Sequence, residues 1–256
     1  MIEIHKDNVG GIPVLQAVAS GKSKEKLPLV IFVHGFTSAK EHNLHFAYLL
    51  AEKGFRAVLP EAELHGEREN GVQKDDLMFS FWRIVLRNIQ ELGQIKDYYT
   101  SLSLADESRI GIAGTSMGGI TALGALTQYD WIKAAVSLMG SPCYSSFARA
   151  QVEKIRESGV AIPYSEEELE KQYDQVKPFD LSDQPEKLRK RPLMFWHGMK
   201  DDIVPYHPTR RFYDELLKGD YKNSPERLQF ITDKQAGHKV SREGLLKTVE
   251  WFERYL

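Results

Sequence analysis

Gly114-Thr115-Ser116-Met117-Gly118 sets one serine between two glycines, each two residues away. A hydroxyl in that pattern is a candidate nucleophile. The serine must sit on a tight strand-to-helix turn that pushes its Oγ outward, and a Cβ at either glycine would collide with the adjoining strand or helix. The helix beginning there turns its first N–H groups and the positive end of its dipole toward the spot where an oxyanion would form. The pattern alone is weak: with glycine and serine each at about 7%, a chance match arises in roughly 0.09 of chains this long. Its placement is the stronger signal, because the apolar run Ile110–Ala113 precedes it and the helical segment Ile120–Gln128 follows.

A serine hydroxyl needs a base, and the base needs a carboxylate to orient it. After a serine in this pattern the partners follow in the order acid, then histidine. Three histidines lie downstream: His197, His207 and His238. His197 ends an apolar strand and precedes the candidate acids. His207, in Val204-Pro205-Tyr206-His207-Pro208, suits a helix start or the surface. His238, in Ala236-Gly237-His238-Lys239, falls on a loop between a strand and the last helix, and is the expected base. For the acid, Gly198-Met199-Lys200-Asp201-Asp202 follows the strand Leu193–Trp196. Either aspartate could turn toward His238; Asp201 is favoured and Asp202 is the second choice.

Val33-His34-Gly35-Phe36 supplies a fourth element just after the first buried parallel strand. Glycine there lets the backbone bend so that a main-chain N–H faces the reaction centre. The expected oxyanion donors are the backbone N–H groups of Phe36 and Met117. His34 is read as a structural hydrogen-bonding residue and not as a proton carrier.

These groups require a scaffold that delivers loops from several strands to one edge. Two short strands, Ile2–His5 and Ile12–Ala17, flank Asn8-Val9-Gly10-Gly11 and predict a hairpin. Short apolar runs follow at Leu29–Val33, Ala57–Leu59, Ile110–Ala113, Ala134–Met139, Leu193–Trp196 and Leu228–Ile231. Several lack polar alternation, as strands buried on both faces do. Between them, Leu77, Phe81, Ile84, Val85, Asn88, Leu92, Ile95 and Tyr99 form one stripe of a long helix. Leu245, Leu246, Val249, Phe252 and Leu256 mark a C-terminal amphipathic helix. The expectation is an α/β fold: a mostly parallel twisted sheet of about eight strands, helices on both faces and an antiparallel hairpin at the start. Residues 142–190 break the rhythm, with helices expected at Phe147–Ile155 and Glu166–Val176, the second opened by a Ser165/Glu168 capping box. An insertion there predicts a small cap or lid on a single domain spanning 1–256.

Composition excludes several classes. The 256 residues carry 34 basic and 36 acidic side chains, a net charge of −2 that gives no reason to expect a nucleic-acid partner. Hydrophobic residues at 42% and charged residues at 27% are globular, and one cysteine cannot form an internal disulfide. The start, MIEIHKDNVGG, has neither a basic nor an apolar leader region, so a cytoplasmic location without a membrane partner is expected. Cys143 is read as a buried, inert thiol. Glu41, His42 and His45 have helical ligand spacing but no convincing further ligand, so no metal and no cofactor is expected. The segment Glu61–Arg68 is placed on the rim of the site, its charges either contacting substrate or solvated, and Lys187–Arg191 is read as a loop.

Taken together, His34-Gly35-Phe36, the Ser116 turn, Gly198-x-x-Asp201 with Val204-Pro205, and Gly237-His238 resemble the α/β-hydrolase superfamily. Within it the chain is similar to compact bacterial esterases related to prolyl-oligopeptidase catalytic domains and dienelactone hydrolases. The resemblance covers essentially the whole chain. It implies a serine hydrolase in which Ser116, Asp201 and His238 form a triad acting on a small carboxylic ester through an acyl-enzyme. A thioesterase or aminopeptidase-like activity would use the same machinery, and a non-catalytic ligand-binding member of the fold is the competing class. Dienelactone hydrolases carry cysteine at the nucleophile position, where this chain has Ser116, and residues 142–190 hold no motif that names a substrate.

Overall fold

Along Leu29–Val33 successive side chains divide between two cores: Leu29, Ile31 and Val33 enter one, Val30 and Phe32 the other, and all five are at most 1% exposed. A run without polar alternation specifies such a strand, covered on both faces. The computed structural model describes residues 1–71 and 73–256, apart from the side chains of Lys74 and Asp75. Its strands are β1 (Ile2–Val9), β2 (Ile12–Ala19), β3 (Leu27–Val33), β4 (Arg56–Pro60), β5 (Ala105–Thr115), β6 (Ala134–Leu138), β7 (Leu193–Gly198) and β8 (Leu228–Asp233). Its helices are α1 (Leu44–Glu52), α2 (Lys74–Phe79), α3 (Phe81–Ser101), α4 (Met117–Gln128), α5 (Tyr144–Glu157), α6 (Glu166–Val176), α7 (Tyr206–Lys218) and α8 (Arg242–Tyr255).

The strands form one sheet in the order β1-β2-β4-β3-β5-β6-β7-β8. β1 and β2 are an antiparallel hairpin, β2 pairs antiparallel with β4, and every other pairing is parallel. This is the expected α/β-hydrolase architecture. Apolar side chains of α1 and α8 fill one core, and those of α3, α4 and α7 fill the other. β3 lies between β4 and β5, so the chain turns away in opposite directions from its two sides. A crevice forms at the carboxyl ends of strands where the order reverses in this way, and the loops after β3 and β5 both open into it. No helix among the described residues is long and apolar enough to cross a membrane.

One sequence expectation needs correction and another needs extension. The stripe from Leu77 to Tyr99 is two helices, because α2 ends at Phe79 and α3 begins at Phe81, with Ser80 between them. The Ser80 hydroxyl and amide both donate to the Asp76 carbonyl, at 2.8 and 3.1 Å, and this side-chain bond back onto the last turn of α2 accompanies the break. Lys187–Arg191 is irregular as read, the end of a 3-10 turn and a loop, but it is more than a surface connection. Arg191 is buried, and its guanidinium donates to the carbonyls of Leu126, Tyr129, Ile132, Lys187 and Leu188, tying α4 to the approach to β7.

Residues 142–190 fold as α5, α6 and three short 3-10 turns, with the Ser165/Glu168 capping box in place. Buried Asp180 holds the segment together by accepting from the amides of Ser145 (2.7 Å) and Ser182 (3.1 Å). Tyr144, wholly buried, donates its hydroxyl to the Ile120 carbonyl of α4 at 2.6 Å.

Candidate active site

Ser116 stands between β5 and α4 at φ 53° and ψ −114°, a backbone strain held by close packing. A Cβ on Gly118 would lie 2.0 Å from the Val33 carbonyl oxygen, and one on Gly114 would lie 2.4 Å from the Gly118 carbonyl carbon. Both glycines are therefore required by the approach of α4 to β3 and β5. The Ser116 amide donates to the Leu138 carbonyl at 2.8 Å, fixing the turn against β6.

His238 lies 2.8 Å from Ser116 Oγ through Nε2 and 2.8 Å from Asp201 Oδ2 through Nδ1. Its loop is shaped from β8: Asp233 Oδ1 accepts from the amides of Gln235 and Ala236, both at 3.0 Å. It is also stitched to the acid loop, because the Lys200 amide donates to the Ala236 carbonyl at 3.0 Å. Asp201, not its exposed neighbour Asp202, faces the imidazole. Its Oδ1 accepts from the amides of Ile203 (3.0 Å) and Val204 (2.9 Å), while Oδ2 also lies 3.4 Å from His197 Nε2. Burial opposes ionisation of Asp201, but the bonds from His197, His238 and Val204 outweigh it and hold the carboxyl well below the usual carboxylate range.

The loop after β3 abuts the turn: a Cβ on Gly35 would sit 3.5 Å from Ser116 Cβ. Among the described residues, neither the Phe36 nor the Met117 N–H has a backbone or side-chain acceptor. Two donors beside an activated hydroxyl can stabilise an oxyanion. The loop's shape depends on three buried polar residues. Thr37, at φ 59°, donates its amide to His65 Nε2 at 2.9 Å, and His65 Nδ1 lies 2.8 Å from the Glu63 carbonyl. His34 Nδ1 lies 2.8 Å from the Gly35 carbonyl, and its Nε2 is 3.0 Å from the Ala62 amide and 3.2 Å from Glu61 Oε1.

Glu61–Arg68 is thus neither a solvated rim nor a set of free charges. Glu61 is buried in an ion pair with Lys40, and Arg68 forms a two-pronged pair with Glu91 at 2.8 and 2.9 Å. Glu41, Glu61 and Glu67 bring carboxylate oxygens within 4.8 Å of one another, a spacing that could suit a cation. The Lys40 ammonium sits among them at 2.9, 2.7 and 2.7 Å, in the position a cation would take. His207 is exposed in the first turn of α7, and Cys143 is half-buried rather than buried, its thiol pushed up by desolvation. Sequence reasoning missed His197 beside Asp201, His65 beneath Thr37 and the Lys40–Glu61 pair. Only His65 and Glu61 had a signal, their position after β4 on the rim of the crevice.

Residues 86–256 match the prolyl oligopeptidase family. Over 100% of both chains the sequence is 57% identical to a protein of Bacillus subtilis (strain 168) provisionally named esterase YitV. It is 31% identical to esterase YjfP of Escherichia coli (strain K12), again over 100% of each chain. TT1662 from Thermus thermophilus shares the fold with a TM-score of 0.75 and 20% identity, over 99% of this chain and 98% of that one. The chain belongs to the prolyl oligopeptidase family and is a serine hydrolase.

Proposed function

We propose that the protein is a carboxylesterase that cleaves a small uncharged ester through Ser116, His238 and Asp201. The observation that carries this reading is one imidazole bridging the Ser116 hydroxyl and the Asp201 carboxylate, at 2.8 Å on each side. With its Nδ1–H donated to Asp201, His238 keeps an Nε2 lone pair for the serine proton. Ser116 Oγ attacks the carbonyl carbon as that proton passes to Nε2. The carbonyl electron pair moves onto oxygen, where the Phe36 and Met117 amides receive it. Collapse breaks the ester bond, the leaving alkoxide takes the proton from His238, and an acyl-enzyme remains. Water, deprotonated by His238, then releases the acid and restores Ser116. The names of the two full-length relatives support an ester over a thioester or peptide. The net charge of −2 favours an uncharged substrate over a polyanion. In this reading residues 142–190 are a cap belonging to the same domain as the sheet.

A fluorophosphonate probe followed by peptide mass spectrometry tests the assignment. Modification of Ser116 is expected, and Ser116→Ala should lower kcat on a p-nitrophenyl ester by about 10⁴–10⁶. A folded protein that resists the probe would leave a ligand-binding member of the fold as the better account.

A further inference from the structure

A cleft of about 360 Å³ lies between the α2–α3 junction and the helices α5 and α6. Its wall includes Phe79, Phe81, Trp82, Tyr164, Ile155 and Ile203. Trp82 is fixed with its polar edge satisfied, donating its indole N–H to Gln151 Oε1 at 2.8 Å, and its ring packs 4.9 Å from that of Tyr144. Among the described lining residues the one cationic side chain is Lys154, and its ammonium is turned to the Asp202 carbonyl at 3.0 Å. The cleft therefore offers a guest a mainly carbon surface, with its one described cation engaged by a backbone carbonyl.

Two contacts join its wall to the loops that carry the reacting groups. Phe81 packs edge-on against Phe36, centroids 5.3 Å apart, and Phe36 carries one of the oxyanion amides. Ile203 donates its own amide to Asp201 Oδ1 at 3.0 Å. A guest in the cleft thus lies beside both the oxyanion loop and the acid loop.

The geometry points to this cleft as the seat of one apolar arm of the ester, a chain of roughly six to eight carbons or a single aryl ring. At about 30 Å³ for each water-sized group, such an arm fits without strain. The inference rests on the esterase reading above, and it gives that enzyme a preference for apolar esters over acetates. The arm is either the acyl or the alcohol side of the scissile bond, and two substrate series separate them.

The full chain is assayed on p-nitrophenyl acetate, butyrate, hexanoate and octanoate, and on ethyl, butyl, hexyl and octyl acetates. In one series kcat/KM should rise roughly two- to fourfold per methylene up to six to eight carbons, as expected when each added group leaves water. The rising series identifies the arm. Val152→Phe and Ile162→Trp each place bulk in the cleft, the first from α5 and the second from the 158–165 connection outside any helix. Each should lower the ratio of kcat/KM for the six-carbon member over the shortest member at least tenfold. Flat profiles in both series, or an unchanged ratio in a folded variant, would overturn the cleft assignment while labelling of Ser116 kept the esterase reading intact. Absence of that labelling would remove both.

Discussion

Lys40 and Glu61 form an ion pair shut off from solvent, Nζ 2.7 Å from Oε2, with side chains 1% and 0% exposed. The same carboxylate accepts from the amides of Lys40 (3.1 Å) and Glu67 (3.3 Å) and lies 3.2 Å from His34 Nε2. It thereby anchors both ends of the loop that carries the Phe36 amide. Gly66 closes over it so tightly that a Cβ there would fall 2.1 Å from Glu61 Oε2. Burial alone would raise this carboxyl, but the bonds from His34 and Lys40 overcome it and bring it down to about 2.

Replacing Glu61 with glutamine removes the charge and leaves the Lys40 ammonium buried, facing only the half-exposed Glu41 and Glu67. Breaking one side of a buried pair costs roughly 3–5 kcal/mol, so urea unfolding should show a loss of that order. The pH dependence has a definite sign. Because the folded carboxyl lies below its unfolded value of about 4.3, its stabilisation is present above that pH and disappears as the pH falls toward about 2. Glu61→Gln should flatten the stability profile in that window. A loss below about 1 kcal/mol would mean that Glu41 and Glu67 neutralise Lys40 unaided.

His65 predicts a second pH effect, closer to neutrality. Accepting the Thr37 amide requires a lone pair on Nε2, so the bond exists only with the neutral ring. Burial holds this imidazole below its ordinary value. The bond's stabilisation is therefore present above about pH 6.5 and lost as the pH falls through the lowered value. In His65→Gln an amide oxygen can accept at any pH, so its melting temperature should fall less than that of the wild type between pH 7 and 5. Equal declines would show that protonation of His65 does not loosen the loop.

The loops that carry Ser116, Asp201 and His238 were legible because each follows the end of an apolar run, and residues at the carboxyl ends of neighbouring parallel strands must converge. The choice between Asp201 and Asp202 was less legible: Oδ1 of Asp201 takes the amides two and three residues ahead, a local turn that the residue types alone allow to either aspartate. The supporting shell was not legible. Lys40, Glu61, His65 and Arg191 are polar residues that a hydrophobicity pattern assigns to the surface, and their partners lie up to 65 positions away. The break at Ser80 was hidden for the opposite reason, since the apolar stripe continues across it in phase.

Arg191 tests that hidden shell directly. Its guanidinium satisfies five backbone carbonyls at the meeting of α4 and β7, and burial lowers its pKa with no carboxylate among the described residues in hydrogen-bond range. Arg191→Met should leave those carbonyls short of donors and destabilise the protein by about 3–5 kcal/mol in urea unfolding. Arg191→Lys should recover little, because one ammonium cannot reach the acceptors that a planar fork does. Full recovery by lysine would show that charge, not geometry, is what the site needs.

The acid is tested most sharply by comparing Asp201→Asn with Asp202→Asn. At position 201 the amides of Ile203 and Val204 demand an acceptor, so an asparagine must keep its oxygen on that side. Its NH₂ group is then forced toward His238 Nδ1, where the carboxylate oxygen stood at 2.8 Å. Nδ1 must accept instead of donate, which moves the imidazole proton to Nε2 and turns it against the Ser116 hydroxyl. A ring in that tautomer cannot take the serine proton, and kcat on a p-nitrophenyl ester should fall about 10⁴-fold with the fold intact. Asp202 is exposed and meets Lys154 through its backbone carbonyl alone, so its asparagine variant should stay within about threefold of wild type. A greater loss at 202 than at 201 would transfer the role of the acid to Asp202.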